Sequence, residues 1–143
     1  MPFKSVEISA NLKENFEIEL NARSFRLTID QPNKDNDGKG PNPLEYFFFA
    51  LAGCIVTISK IVAMQKQIDL RGIKVKVDGD LDTDVLNGKR NDIRPGFSRI
   101  CANVEIDADL TQEEKEAFIK EVDSRCPISD NIENLSKIDF VVR

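Results

Sequence analysis

Three short stretches near the N-terminus alternate apolar and polar positions. Val6, Ile8 and Ala10 form the first, Phe16, Ile18 and Leu20 the second, and Phe25, Leu27 and Ile29 the third. Polar breaks at 11–15 and 21–22 separate them. A period of two between such breaks predicts a three-stranded antiparallel meander with one apolar face. The segment from Gln31 to Pro41 is loop chemistry throughout.

A helix start follows. Asn42 suits the N-cap, Pro43 the first helical position, and Glu45 the third, where its carboxylate can bond back to the cap. The helix is predicted to run to about Gln67. Its first four turns, Tyr46 to Ile58, are apolar on every side, and such a helix has to be buried on every side. Beyond Arg71-Gly72, Ile73, Val75 and Val77 alternate with lysines as a strand. Asp80 to Pro95 reads as a long polar connection, a type that is often functional. Ile100, Ala102, Val104 and Ile106 predict the next strand. Thr111 and Glu114 form a second capping box, opening a helix to about Arg125 with Ala117, Phe118 and Val122 inward. Cys126-Pro127 interrupts it, Ser129 is placed to cap a last short helix, and Ile138, Phe140 and Val142 predict a final strand. No repeat or linker divides the chain, so residues 1–143 are expected to form a single α+β domain.

Composition then removes function classes. The chain has 143 residues, 41% of them hydrophobic, with a net charge of −5. It lacks the basic stripe of a nucleic-acid binder. No cationic segment followed by an apolar one opens the sequence, and the apolar run from Tyr46 to Ser59 is shorter than the roughly 18 residues of a membrane span. A cytoplasmic protein that does not enter a membrane is expected. The sequence contains no histidine. Ser-His-Asp and Cys-His catalysis, histidine metal ligation and an imidazole switch are thereby excluded. Three cysteines, at 54, 101 and 126 and without a CxxC pair, do not suggest structural zinc.

The cysteines carry whatever chemistry is left. Cys54 follows Gly53 in mid-helix, stacked with Phe47, Ala50 and Leu51 on one side and Thr57, Ile58 and Ile61 on the other. Cys126 lies one turn beyond Val122 and two beyond Phe118, on the same inward stripe. From periodicity alone each reads first as a small buried hydrophobe. Cys101 alternates with Arg99, Asn103 and Glu105 on a polar face and reads as a bystander.

Longer motifs shift that balance. The run Gly40-Pro-Asn-Pro-Leu-Glu-Tyr-Phe-Phe-Phe-Ala-Leu-Ala-Gly-Cys54 resembles the helix start of the OsmC/Ohr family of thiol peroxidases. Arg94-Pro-Gly-Phe-Ser-Arg-Ile resembles the strand before the family's second helix, and Arg125-Cys126-Pro127-Ile128-Ser129 its second-cysteine motif. The resemblance implies an OsmC-like fold in which two subunits intertwine around paired central helices. It also implies a peroxiredoxin-like hydroperoxide reductase. Cys54 would attack an organic hydroperoxide, Cys126 would resolve the sulfenic acid as a disulfide, and a small dithiol or lipoyl-type reductant would reset the pair. Neither a metal nor a bound organic cofactor is implied.

Only the thiolate is nucleophilic, and a nearby cation can lower a thiol pKa from about 8.5 to roughly 3.5–7.5. In the family an arginine does this, held by a glutamate. Here Arg26, on the polar side of the third strand, is the candidate cation, with Arg23, Lys34 and Lys13 as alternatives. Glu45 is the candidate carboxylate. It lies one position later than the family's glutamate, which falls on Leu44 here, and it also suits a capping box. The alternative from another class is a redox-sensing or small-molecule-binding domain whose cysteines line an apolar pocket without turnover.

A homodimer is expected on physical grounds alone. A helix from Pro43 to Gln67 is about 36 Å long. One sheet covers one side of it, leaving an apolar patch on the order of 400 to 500 Å², at the upper limit for a monomer. A second copy across a two-fold axis would cover that patch on both chains.

Overall fold

The structure, a computed structural model, describes residues 2–143. It contains two compact units, one reaching Phe47 and the other spanning Phe48–Arg143, so the boundary along the sequence falls in the long helix.

The first unit is the expected meander. Strands β1 (Ser9–Leu12), β2 (Ile18–Ala22) and β3 (Phe25–Ile29) form an antiparallel sheet in that order. Leu20 pairs with Ala10 on one side and Leu27 on the other. The β2–β3 turn is tight, with Arg23 in the left-handed region at φ 55°. Val6 and Ile8 fall outside β1, which begins three residues later than the alternation suggested. Much of the expected apolar face is open within this chain, with Phe16, Phe25 and Leu27 all exposed.

Helix α1 (Pro43–Lys66) starts where the cap residues place it and stops where Gln67 turns left-handed at φ 56°. Its burial corrects the sequence reading. Leu51, Ile55, Ser59, Val62 and Ala63 form one buried stripe, while Phe49 is 60% and Met64 68% exposed. A chain this short buries one side of the helix only. Nor does the length argument against a membrane span hold. The 24-residue helix includes an 18-residue window of mean hydropathy 2.1, enough by length and composition to cross a bilayer, although its buried stripe is that of a core helix.

In the second unit, strands β4 (Gly72–Asp80) and β5 (Arg99–Asp107) pair antiparallel along their whole length. The polar connection between them contains a single helical turn, α2 (Thr83–Leu86), nucleated by the Asp82 side chain accepting the Asp84 N–H at 2.8 Å. Helix α3 (Gln112–Ser124) opens on the Thr111–Glu114 capping box as expected. Helix α4 (Pro127–Glu133) follows after the two residues of the Cys126 joint. Leu51, Ile55, Val62 and Ala63 of α1 form one core with Phe118 and Val122 of α3. Val75, Val77, Ile100 and Ile106 of the sheet and Ile128 and Ile132 of α4 pack against it. This core brings α1 and the α3–α4 joint together.

The final strand is not formed. Residues 135–143 are irregular, and Ile138, Phe140 and Val142 are exposed. Alternation marks a segment that suits a strand, but a strand exists only with a ladder partner, and β1 to β5 pair without it.

Candidate functional site

The site is built at the α3–α4 joint. Proline disfavours helical backbone in the residue before it yet suits the first position of a new helix. Pro127 therefore ends the run of α3 and starts α4, leaving Cys126 extended between them at φ −88° and ψ 109°. Cys126 is the N-cap of α4, its sulfur accepting the Ser129 N–H at 3.4 Å. The sequence reading gave that cap to Ser129, which instead is the third residue of the helix. Cysteine here fills a position usually held by Ser, Thr, Asp or Asn.

Cys54 comes to this joint from α1, on the flank of the buried Leu51–Ile55 stripe. Its Sγ lies 2.8 Å from that of Cys126, and both cysteines are free thiols. The two sulfurs are within easy reach of a bond about 2.05 Å long. Cys126 is 2% exposed and Cys54 half-buried, so Cys54 is the thiol open to an incoming molecule. Burial raises the Cys54 thiol pKa above its ordinary value, and the hydrogen bond shared with Cys126 adds to the rise. The Ile128 backbone N–H, also directed at Cys54, opposes it. These are the effects of desolvation, a neighbouring acidic group and a donor on one sulfur.

The other sequence candidates are held elsewhere. Glu45 forms a capping box with Asn42, each side chain accepting the other's backbone N–H at 2.9 Å. Only its Oε1 is used in the box. Arg26 donates to Glu19 at 3.3 Å and is otherwise largely in solvent. Lys13 approaches the same carboxylate at 3.9 Å, and Arg23 lies 4.8 Å over the Phe25 ring. Arg125, next to Cys126 in sequence, is occupied by Gln65 at 2.9 Å and Glu121 at 3.5 Å. Cys101 is exposed on β5 opposite Asp78. The structure thus brings Cys54 and Cys126 together and gives Arg26 and Glu45 separate partners. Among the described residues no group of three metal-ligating side chains occurs.

Sequence reading missed the Ile128 N–H, the Ser129 N–H and Asp123. The first two are backbone groups and have no side-chain signal. Proline directly after a cysteine was the available clue, because it turns the next N–H groups back toward the cap.

The arrangement can be compared with known proteins. The sequence profile of the OsmC-like protein family matches residues 34–141, which include both cysteines. The chain belongs to the OsmC-like family. It is 28% identical over 133 residues to the hydroperoxide reductase of Mycoplasma genitalium, covering 93% of this chain and 90% of that protein. The hydroperoxide reductase of Mycoplasma pneumoniae is 26% identical over 139 residues, with 97% and 94% covered. Among solved structures, the OsmC-like protein of Mycoplasma pneumoniae superposes with a TM-score of 0.82 at 26% identity, covering 92% of this chain and 89% of that one. An organic hydroperoxide resistance protein from Legionella pneumophila shares the fold at a TM-score of 0.67 and 20% identity, with 92% and 91% covered. The OsmC-like fold implied by the sequence motifs is therefore the fold observed.

Proposed function

We propose that this OsmC-like protein is a thiol-dependent peroxidase that reduces organic hydroperoxides in a reducing cytoplasm. The approach of the Cys54 and Cys126 sulfurs to 2.8 Å is the observation that carries the reading. The names of the two Mycoplasma relatives support it.

In this reading the Cys54 thiolate attacks the outer peroxide oxygen. The O–O bond breaks, the alkoxide leaves as an alcohol after taking a proton, and Cys54 becomes a sulfenic acid. Cys126 then attacks the Cys54 sulfur, the hydroxyl leaves as water, and a disulfide forms. A small dithiol or lipoyl-type reductant returns two electrons and two protons by thiol–disulfide exchange. Arg26 supplies the cation that counters the desolvation of Cys54, and Glu45 holds it through the oxygen its capping box leaves over.

The whole chain acts as one domain of a homodimer, and the apolar face of α1 around Phe49 and Met64 is the surface that a second copy covers. Sedimentation at micromolar concentration is expected to give twice the chain mass, and a monomer would refute the assembly.

The deciding experiment is turnover of cumene hydroperoxide with dihydrolipoamide as reductant, followed by peptide mapping. Many equivalents of peroxide are expected to be consumed, with a Cys54–Cys126 disulfide between cycles. Persistence of the peroxide over two free thiols would leave the binding-domain reading in its place.

A further inference from the structure

Two residues with no part in the chemistry above hold Cys126 from either side. Asp123, in the last turn of α3, accepts the Cys126 N–H at its carbonyl, at 3.1 Å. Its carboxylate accepts the Ser129 hydroxyl at 2.5 Å. Ser129 in turn donates its backbone N–H to the Cys126 sulfur at 3.4 Å. Residues 123 and 129 thus close a ring of hydrogen bonds around the cysteine.

Neither residue is explained by its helix. A carboxylate at the end of α3 faces the negative pole of the helix dipole, and no basic residue shares that turn. Ser129 is buried and inside α4, where alanine has the higher helix propensity, and α4 already has its N-cap in Cys126. A buried hydroxyl needs a partner, and this one reaches back across the joint to find it.

We propose that the Asp123–Ser129 hydrogen bond is a clasp that holds Cys126 in position to resolve oxidised Cys54. Asp123 and Ser129 are then positioning residues for disulfide formation, an inference that rests on the peroxidase reading above. A disulfide forms only within a narrow range of separations and dihedral angles. A cysteine at a joint between two helices keeps that geometry only if the joint is fixed. The clasp raises the effective concentration of the Cys126 sulfur at Cys54. Its loss favours the competing step, in which the Cys54 sulfenate takes an oxygen from a second hydroperoxide to become a sulfinate, releasing a second alcohol.

The test uses the full chain as wild type, Ser129→Ala, Asp123→Ala, the double variant and Ser129→Thr, each verified as folded by circular dichroism. Asp123 is exposed, so Asp123→Ala breaks the clasp without opening the core. The first readout is the fraction of Cys54 over-oxidised per turnover of cumene hydroperoxide. It is expected to rise about tenfold in either alanine variant, the worth of one hydrogen bond to a charged group. The double variant should be no worse than either single one, and Ser129→Thr should behave like wild type. The second readout needs no peroxide. In a dithiothreitol redox buffer, the equilibrium constant for the Cys54–Cys126 disulfide should fall by a similar factor in the same variants. Additive effects in the double variant, or wild-type values in both readouts, would overturn the clasp. If the wild type itself fails to turn over peroxide, the peroxidase reading falls and the redox-buffer result still judges the clasp.

Discussion

Two helices in this protein begin in the same way and end up with different capacities. Helix α1 opens as Asn42-Pro43-Leu44-Glu45 and α4 as Cys126-Pro127-Ile128-Ser129, a cap, a proline and a polar third residue in each. At Asn42 the bonding is closed, because cap and third residue satisfy each other's N–H groups at 2.9 Å. At Cys126 it is open. The sulfur takes the Ser129 N–H, but the Ser129 hydroxyl turns away to Asp123, and the same sulfur stands 2.8 Å from Cys54. An oxygen cap completes a helix. A sulfur cap does that less tightly and leaves an atom that can be oxidised.

The sharpest way to break the comparison is to replace the sulfurs. Cys54→Ser is expected to abolish peroxide reduction, because the thiol left at the joint, Cys126, is only 2% exposed. Cys126→Ser separates cap from chemistry, because serine is a better N-cap than cysteine and should leave α4 intact. This variant is expected to react with one equivalent of peroxide and then accumulate sulfinic and sulfonic Cys54. Intact-mass measurement would show oxygen additions of about 32 or 48 Da in place of the two-hydrogen loss of a disulfide. Continued turnover by Cys126→Ser would mean that resolution comes from outside the pair.

Next in size is the effect of the cation. Burial and the neighbouring thiol raise the Cys54 pKa, so the unaided site favours the unreactive thiol. Removing Arg26 is expected to slow the first reaction at pH 7 on the order of tenfold, the change in thiolate fraction for one pKa unit. The sign follows from the acid form. With the counter-charge gone, the thiolate appears only at higher pH, and the Arg26→Ala rate should climb with pH through the alkaline range while the wild type is flatter. An Arg26→Ala profile that overlays the wild type would assign the cation to another residue.

Asn42 and Cys126 also show what sequence reveals about a site. The α1 start was legible because capping residues, proline and glutamate all point to one boundary. The α4 start was legible only as a break, since sulfur is an unusual cap and Ser129 the more familiar one. The four residues of α2 were missed because a single turn nucleated by Asp82 has no apolar period to reveal it. The alternation of Ile138, Phe140 and Val142 predicts a strand that is not formed, because it marks suitability for a sheet and not a partner within this chain. The cysteine pair was visible through family motifs and not through periodicity, which reads a core cysteine and a reactive one alike. The Ile128 N–H and the Asp123–Ser129 bond depend on a tertiary joint and could be found only in the structure.

Glu45 offers a smaller and more discriminating test. Its box with Asn42 predicts that Glu45→Ala destabilises the protein by about 1 kcal/mol. Glu45→Gln should keep that stability, because glutamine also closes a capping box. If Glu45 also holds the catalytic cation, Glu45→Gln should lose peroxidase activity while its denaturation midpoint stays at the wild-type value. Full activity in Glu45→Gln would confine this residue to the helix start.

The smallest expected effect completes the comparison among the thiols. Cys101 is exposed on β5, opposite Asp78, and its sulfur accepts a weak 3.8 Å contact from the Asn103 amide. Among the described residues no helix start surrounds it, and the other two thiols face each other at the α3–α4 joint. Removing it creates no cavity, because its side chain already faces solvent, and surface substitutions of this kind usually change stability by less than about 0.5 kcal/mol. Cys101→Ser should therefore match the wild type in peroxide turnover, in the over-oxidised fraction of Cys54 and in thermal midpoint. Peptide mapping of the oxidised wild type should find Cys101 still free to react with an alkylating reagent. A loss of turnover in Cys101→Ser comparable to that of Cys54→Ser would show that proximity to a helix cap is not what distinguishes the reactive sulfur.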